Sequence, residues 1–121
     1  MMRQSFKELL IWQKGIELVD IVYDAADTFP KSELYGLTSQ CKRSAVSIPS
    51  NIAEGSKRVS DKEFSNFILI AQGSLAELET QIIIALRRKY ITQEQGKPIF
   101  DRMDELNRMI YSFYKKLVAN R

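Results

Sequence analysis

The stretch FSNFILIAQGSLAELETQIIIALRR, residues 64–88, decides the fold. Phe64, Phe67, Ile68, Ala71, Leu75, Leu78, Ile82 and Ala85 return at intervals of three and four, which places them on one side of a helix. No proline interrupts them and no period-two alternation competes, so a strand is excluded. At 1.5 Å per residue the helix is roughly 35 to 40 Å long. Ser60 with Glu63 three residues later has the spacing of a capping box, and the helix is predicted over residues 60–90. So long an apolar face must be covered by further elements of similar length.

The flanking sequence supplies three. Residues 6–28 open on a second capping-box pair, Ser5 and Glu8, and carry Leu9, Trp12, Ile16, Val19, Tyr23 and Ala26 as an inward stripe. Phe29-Pro30-Lys31 ends that segment. Ser32 is the predicted cap of the next, residues 33–55, with Leu34, Leu37, Cys41, Ala45, Ile48 and Ile52 inward and Gly55 placed as the left-handed residue that closes it. Thr92 with Gln95 opens the last, whose inward set is Ile99, Met103, Leu106, Ile110, Phe113 and Leu117, with Pro98 in its early turns. Long helices joined by short loops must turn back on one another. The expectation is an all-α, antiparallel up-and-down four-helix bundle forming one domain over residues 1–121. Pro49 lies inside the second helix, where its ring meets the carbonyl of Ala45 and one hydrogen bond is lost, so a proline kink is predicted there.

Composition narrows the chemistry. Hydrophobic residues make up 45% and charged residues 27% of 121, the balance of a soluble globular chain. The run at 9–12 is too short for a signal-peptide core, and the run at 82–86 is far below the roughly 18 residues of a spanning helix. A cytoplasmic protein without a membrane partner is expected. There is no histidine and one cysteine, Cys41, so no imidazole base, no Ser-His or Cys-His nucleophile pair and no Cys/His zinc site can be built. The chain therefore reads as a protein that is not an enzyme, with no catalytic residues, metal or cofactor.

Helix faces carry more apolar residues than one bundle needs. Leu69, Ile70, Ile83, Ile84 and Leu86 lie outside the third stripe, Leu10, Ile11, Leu18, Ile21 and Val22 outside the first, and Met109, Tyr111 and Tyr114 outside the last. Contiguous apolar surface marks a partner surface, and a homo-oligomer is the partner predicted.

Three runs then carry a resemblance: FKELLIWQKGIELVDIVY (6–23), FPKSELYGLTSQCKRSAVSIPSNIAEG (29–55) and FSNFILIAQGSLAELET (64–80). Together they resemble the family of four-helix-bundle proteins encoded by intervening sequences within bacterial 23S ribosomal RNA genes, over about residues 6 to 118. The most specific piece is SIPSNIAEG, Ser47 to Gly55, preceded by Lys42-Arg43 and by Leu34-Tyr35-Gly36-Leu37. One of the two basic residues usual before the small pair is here Lys42, with Cys41 beside it. The resemblance implies a pentameric ring and no known catalysis. A similar branch, the accessory variability protein of diversity-generating retroelements, is also pentameric and binds nucleic acid and a reverse transcriptase through a basic surface.

On a helix Arg43, Ser47, Asn51 (or Ser50), Glu54 and Arg58 form one polar row. It reads either as a hydrogen-bonded network around Pro49 or as an interface lock or phosphate-recognition row, with Ser47, Pro49, Asn51, Glu54 and Gly55 as its motif residues. In the network reading, Asn51 and Ser47 satisfy carbonyls released by Pro49, and Arg43 or Arg58 pairs with Glu54. For nucleic acid the candidates are Lys42, Arg43, Lys57, Arg58, Arg87, Arg88 and Lys89, with Lys115, Lys116 and Arg121 as a further group. The formal charge is only +3, but residues 38–60 hold 4 basic against 1 acidic side chain, so placement matters more than the total. A helix C-terminus alone also explains Arg87, Arg88 and Lys89. The tyrosines are expected as core or interface aromatics and Cys41 as a buried hydrophobe. Two functions remain: RNA or DNA binding through a basic surface, or a structural scaffold that recruits a partner protein.

Overall fold

In the computed structural model, residues 5–119 are described as four long helices and two short 310 turns, with no strand among them. The helices are α1 (Leu10–Ala26), α2 (Leu37–Ser56), α3 (Asp61–Arg87) and α4 (Gln93–Ala119). Each packs on the next, and α4 closes against α1, so the bundle is antiparallel and up-and-down as predicted.

Two of the predicted helix starts hold. Ser60 Oγ accepts the amide of Glu63 at 3.1 Å, opening α3. At the start of α4 the Gln95 amide donates to Thr92 Oγ1 at 3.1 Å while the Thr92 amide donates to Gln95 Oε1 at 2.8 Å, a reciprocal capping box. Helix α4 continues through Pro98. The end of α3 is a Schellman closure: the Lys89 amide donates to the Leu86 carbonyl at 3.0 Å and the Tyr90 amide to that of Ala85 at 2.9 Å. Lys89 takes the left-handed conformation this requires, φ 64°.

Three local expectations are corrected. Ser5 caps the short 310 turn Phe6–Glu8, and α1 begins after the extended Leu9. Ser32 does not cap α2. Residues Lys31–Glu33 make a 310 turn, and the carboxylate of Glu33 reaches forward to accept the amide of Leu37 at 3.0 Å. Gly55 is not left-handed. It is an ordinary helical residue of α2, and a Cβ there would stand 2.5 Å from Phe67 Cβ, so its missing side chain lets α2 and α3 approach. Helix α2 is unbroken from Leu37–Ser56 through Pro49, whose ring is buried against α1.

The core follows the predicted stripes on α3 and α4 and on α2 apart from Leu34, which is exposed; Phe67 and Phe113 are only partly buried. On α1 the buried face is Ile11, Gly15, Leu18, Val22 and Ala26, about 100° round from the predicted one, and Ile16 and Tyr23 are exposed. By length and composition α3 is the one described helix apolar enough to cross a membrane, with a mean hydropathy of 1.4 in its best 18-residue window. Its inward face is already occupied by the bundle core.

Candidate nucleic-acid interface

The polar row of α2 is largely consumed by internal bonds. Ser47 and Ser74 share a hydroxyl hydrogen bond of 2.8 Å that fixes the register of α2 against α3. Asn51 donates to the Ser47 carbonyl at 2.8 Å and to its hydroxyl at 2.9 Å. The carbonyl served is thus that of Ser47, one turn back, and not that of Ala45, which Pro49 releases. Arg58 donates to Glu54 at 2.9 Å, as the four-residue spacing predicts.

The seven basic candidates divide between the two ends of the bundle. Lys57 and Arg58 lie where α2 turns into α3. Lys57 sits 5.8 Å above the ring of Phe6, and the Arg58 guanidinium lies 4.8 Å over Phe67 while bonded to Glu54. Lys115 and Lys116 lie near this end, Lys115 over the ring of Tyr111 at 5.0 Å, and Arg121 lies outside the described residues. Arg87, Arg88 and Lys89 are at the opposite end, roughly 40 Å away by the length of α3. Lys42, bonded to Asp27, belongs to that second end, and Arg43 follows it on α2, level with Leu78 and about 13 Å short of Arg87 along the bundle.

At the α3 end the charges are unequal. Lys42 is engaged, bonded to Asp27 at 2.6 Å and held 4.8 Å over Tyr23. The second carboxylate beside the start of α2, Glu33, accepts the Leu37 amide and the Tyr90 hydroxyl, the latter at 2.8 Å. These bonds, with help from the Arg88 charge, hold its pKa below the ordinary carboxylate value against the opposing effect of burial. Arg43, Arg87, Arg88 and Lys89 are exposed and form no ion pair among the described residues. Lys31, in the turn before α2, joins them and was not singled out from the sequence. Carboxylates that form no ion pair among the described residues also stand in this half: Asp20, Asp24 and Glu94 on the α1/α4 side, and Glu77 and Glu79 on α3, level with Arg43 by the Ser47–Ser74 bond.

Tyr35 is not part of the core of the protomer. It is 94% exposed, whereas Tyr90 and Tyr114 are partly buried against the core. Counting back from the Ser47–Ser74 bond, Tyr35 is level with the last turn of α3, and the Glu33–Tyr90 bond holds the two segments together. Cys41 is buried, which pushes its thiol pKa up to about 11 and leaves it a small hydrophobe.

The long sides differ from one another. Trp12, Ile16 and Val19 of α1 with Val46, Pro49 and Ala53 of α2 line an apolar groove. The outer face of α3 exposes Leu69, Ile70, Ile83 and Ile84. The α1/α4 edge is a ladder of ion pairs over most of its length, Arg102–Glu17 at 3.0 Å and Lys14–Glu105 at 3.7 Å, with Lys97–Asp101 and Arg108–Asp104 along α4, and gives way to an apolar pocket of Leu10, Ile11, Met109 and Phe113 at the start of α1. No group of three or more His, Cys, Asp or Glu able to hold a metal occurs among the described residues.

The sequence pattern of the 23S rRNA-intervening sequence proteins matches residues 7–112. Among solved structures, the chain is similar to a protein of unknown function from the S23 ribosomal protein family of Bacteroides thetaiotaomicron VPI-5482, at 26% identity and a TM-score of 0.81. That similarity covers 88% of this chain and 99% of the other. No curated protein matches.

Proposed function

Since the chain belongs to the 23S rRNA-intervening sequence protein family, we propose that it is a cytoplasmic, non-enzymatic homo-oligomer that binds RNA or DNA through the basic end of its bundle. One observation carries the reading: Arg87, Arg88 and Lys89 at one end, and Arg43 further along α2, form no ion pair among the described residues, while Asp27 is bonded to Lys42 and Glu33, on which the Arg88 charge also acts, is bonded to the Leu37 amide and the Tyr90 hydroxyl. Unpaired, solvated cations grouped on one surface suit the phosphate backbone, which supplies most non-specific affinity. Lys42 at that end and Arg58 at the opposite one are already held by Asp27 and Glu54.

Assembly rests on the two apolar sides. The α1/α2 groove and the outer face of α3 are different surfaces, so a contact between them is heterologous and closes into a ring when the rotation permits. Five subunits is the number the family resemblance implies. A ring repeats the basic end around its axis and multiplies a modest charge. The second reading, a scaffold that docks a partner protein and binds no nucleic acid, draws on the same exposed Leu69, Ile70, Ile83 and Ile84.

A mobility shift with an unrelated RNA across a salt series, run beside light scattering, separates the two. Binding at low salt that fades as salt rises, by a species several times 14.0 kDa, is expected. Absence of binding at low salt leaves the scaffold reading, and a protomer of constant mass at all concentrations ends the ring.

A further inference from the structure

We propose that Tyr35 is a stacking platform for an unpaired base, so that the basic end takes single-stranded rather than duplex nucleic acid. The inference rests on the reading above and names the class of ligand.

Tyr35 is almost wholly exposed at 94%, on a segment secured on both sides. Before it, Glu33 bonds both the Leu37 amide and the Tyr90 hydroxyl. After it, Gly36 packs so tightly on Glu33 that a Cβ would come within 2.8 Å of Oε1. The ring is thus offered to solvent from an anchored turn, level with Arg87 and Arg88. The other four tyrosines differ. Lys42 covers Tyr23, Lys115 covers Tyr111, Glu33 holds Tyr90, and Tyr114 packs on the core. Tyr35 and Tyr114 have no hydrogen bond, ring contact or cation among the described residues, and of the two only Tyr35 is exposed. An open aromatic face at the same end of the bundle as unpaired cations suits splayed bases by stacking and their phosphates by charge, whereas bases within a duplex are already stacked on each other.

The test uses the full chain at low salt with three probes: an oligothymidylate of about 12 nucleotides, its duplex with oligoadenylate, and an abasic strand with the same phosphates. Wild type is expected to bind oligothymidylate about tenfold more tightly than the abasic strand, a stacking gain of about 1.4 kcal/mol. Tyr35→Ala should lose that tenfold and keep its affinity for the abasic strand, while Tyr35→Trp keeps both. If Tyr35→Ala and wild type bind oligothymidylate equally, or wild type prefers the duplex, the stacking role is overturned. In that case Arg87→Ala/Arg88→Ala still weakens all three probes if the basic end is the site. No binding of any probe by wild type overturns the nucleic-acid reading itself. A change in assembly mass on Tyr35→Ala assigns the ring to a protein contact and overturns the proposal.

Discussion

Gly15 of α1 faces the ring of Pro49 on α2: a Cβ added at Gly15 would stand 3.4 Å from the proline Cβ and 3.6 Å from its Cδ. The proline that removes a hydrogen bond from α2 is therefore also the surface on which α1 rests. Ordinary van der Waals contact begins at that distance, so one methyl fits.

The same substitution at two glycines should then have opposite signs. Gly15→Ala is expected to leave stability unchanged or raise it by up to about 1 kcal/mol, since alanine loses less chain entropy in a helix. Gly55→Ala should lower it by about 1–3 kcal/mol, because the methyl would fall 2.5 Å from Phe67 Cβ and 2.9 Å from Phe64 Cδ1. Urea midpoints of both variants decide it, and a common sign would contradict the packing described.

Lys89 provides a second measurement. Its left-handed φ of 64° strains a residue with a Cβ, and the two closing bonds to Leu86 and Ala85 hold it there. Lys89→Gly should raise stability by about 1 kcal/mol, or a few degrees in Tm, with the fold unchanged. Lys89→Val should lower Tm. A glycine variant that melts earlier than wild type would show that the lysine side chain stabilises that end in some other way.

Much of the fold is readable because the apolar residues of α3 and α4 that recur at intervals of three and four form one continuous buried row on each helix, although α3 also carries Leu69, Ile70, Ile83 and Ile84 outside it. Helix α1 was misread by one position. Leu9, Leu10, Ile11 and Trp12 are consecutive and apolar, and Gly15, which faces the core, adds nothing to a hydrophobic stripe. The deciding contact, Gly15 on Pro49, lies between helices and leaves no trace in either alone. The basic candidates were visible as residues but not as a surface. Asp27 neutralises Lys42 from 15 positions away, and Tyr90 engages Glu33 from 57. Of the basic candidates, Arg58 with Glu54, four positions apart across the end of α2, is predictable from spacing.

Glu33 should make stability depend on acid. Its folded pKa lies below the ordinary 4.5, first through the Leu37 amide and then through the Tyr90 hydroxyl. The unfolded carboxyl therefore takes up its proton first on acidification. The stabilisation is complete above pH 4.5 and disappears as pH falls through the folded value. Urea midpoints from pH 7 to pH 3 should fall less steeply below pH 4.5 for Glu33→Gln than for wild type. Parallel curves would remove Glu33 from the balance.

Cys41 reports opening of the core. With its thiol pKa at about 11 instead of 9.0, the thiolate fraction at pH 8 is lower by about 100-fold, and burial denies access as well. Labelling by a disulfide reagent should be slow in the native protein and accelerate through the urea transition. Rapid labelling without denaturant would mean that α2 separates readily from its neighbours.

The salt dependence of binding counts the cations at the α3 end. Each phosphate neutralised on a single strand contributes about −0.7 to the slope of log K against log salt. Arg43, Arg87, Arg88 and Lys89 together thus give a slope of about −3 for each protomer that engages the strand. Removing Arg87 and Arg88 should bring this to about −1.4. Arg58→Ala should leave it unchanged, because Arg58 is bonded to Glu54 at the far end of the bundle. Stability should respond little to the same salt, since the α1/α4 ion pairs are exposed and each contributes less than about 1 kcal/mol. A slope that falls with Arg58→Ala but not with Arg87→Ala/Arg88→Ala would move the binding surface to the α2–α3 turn.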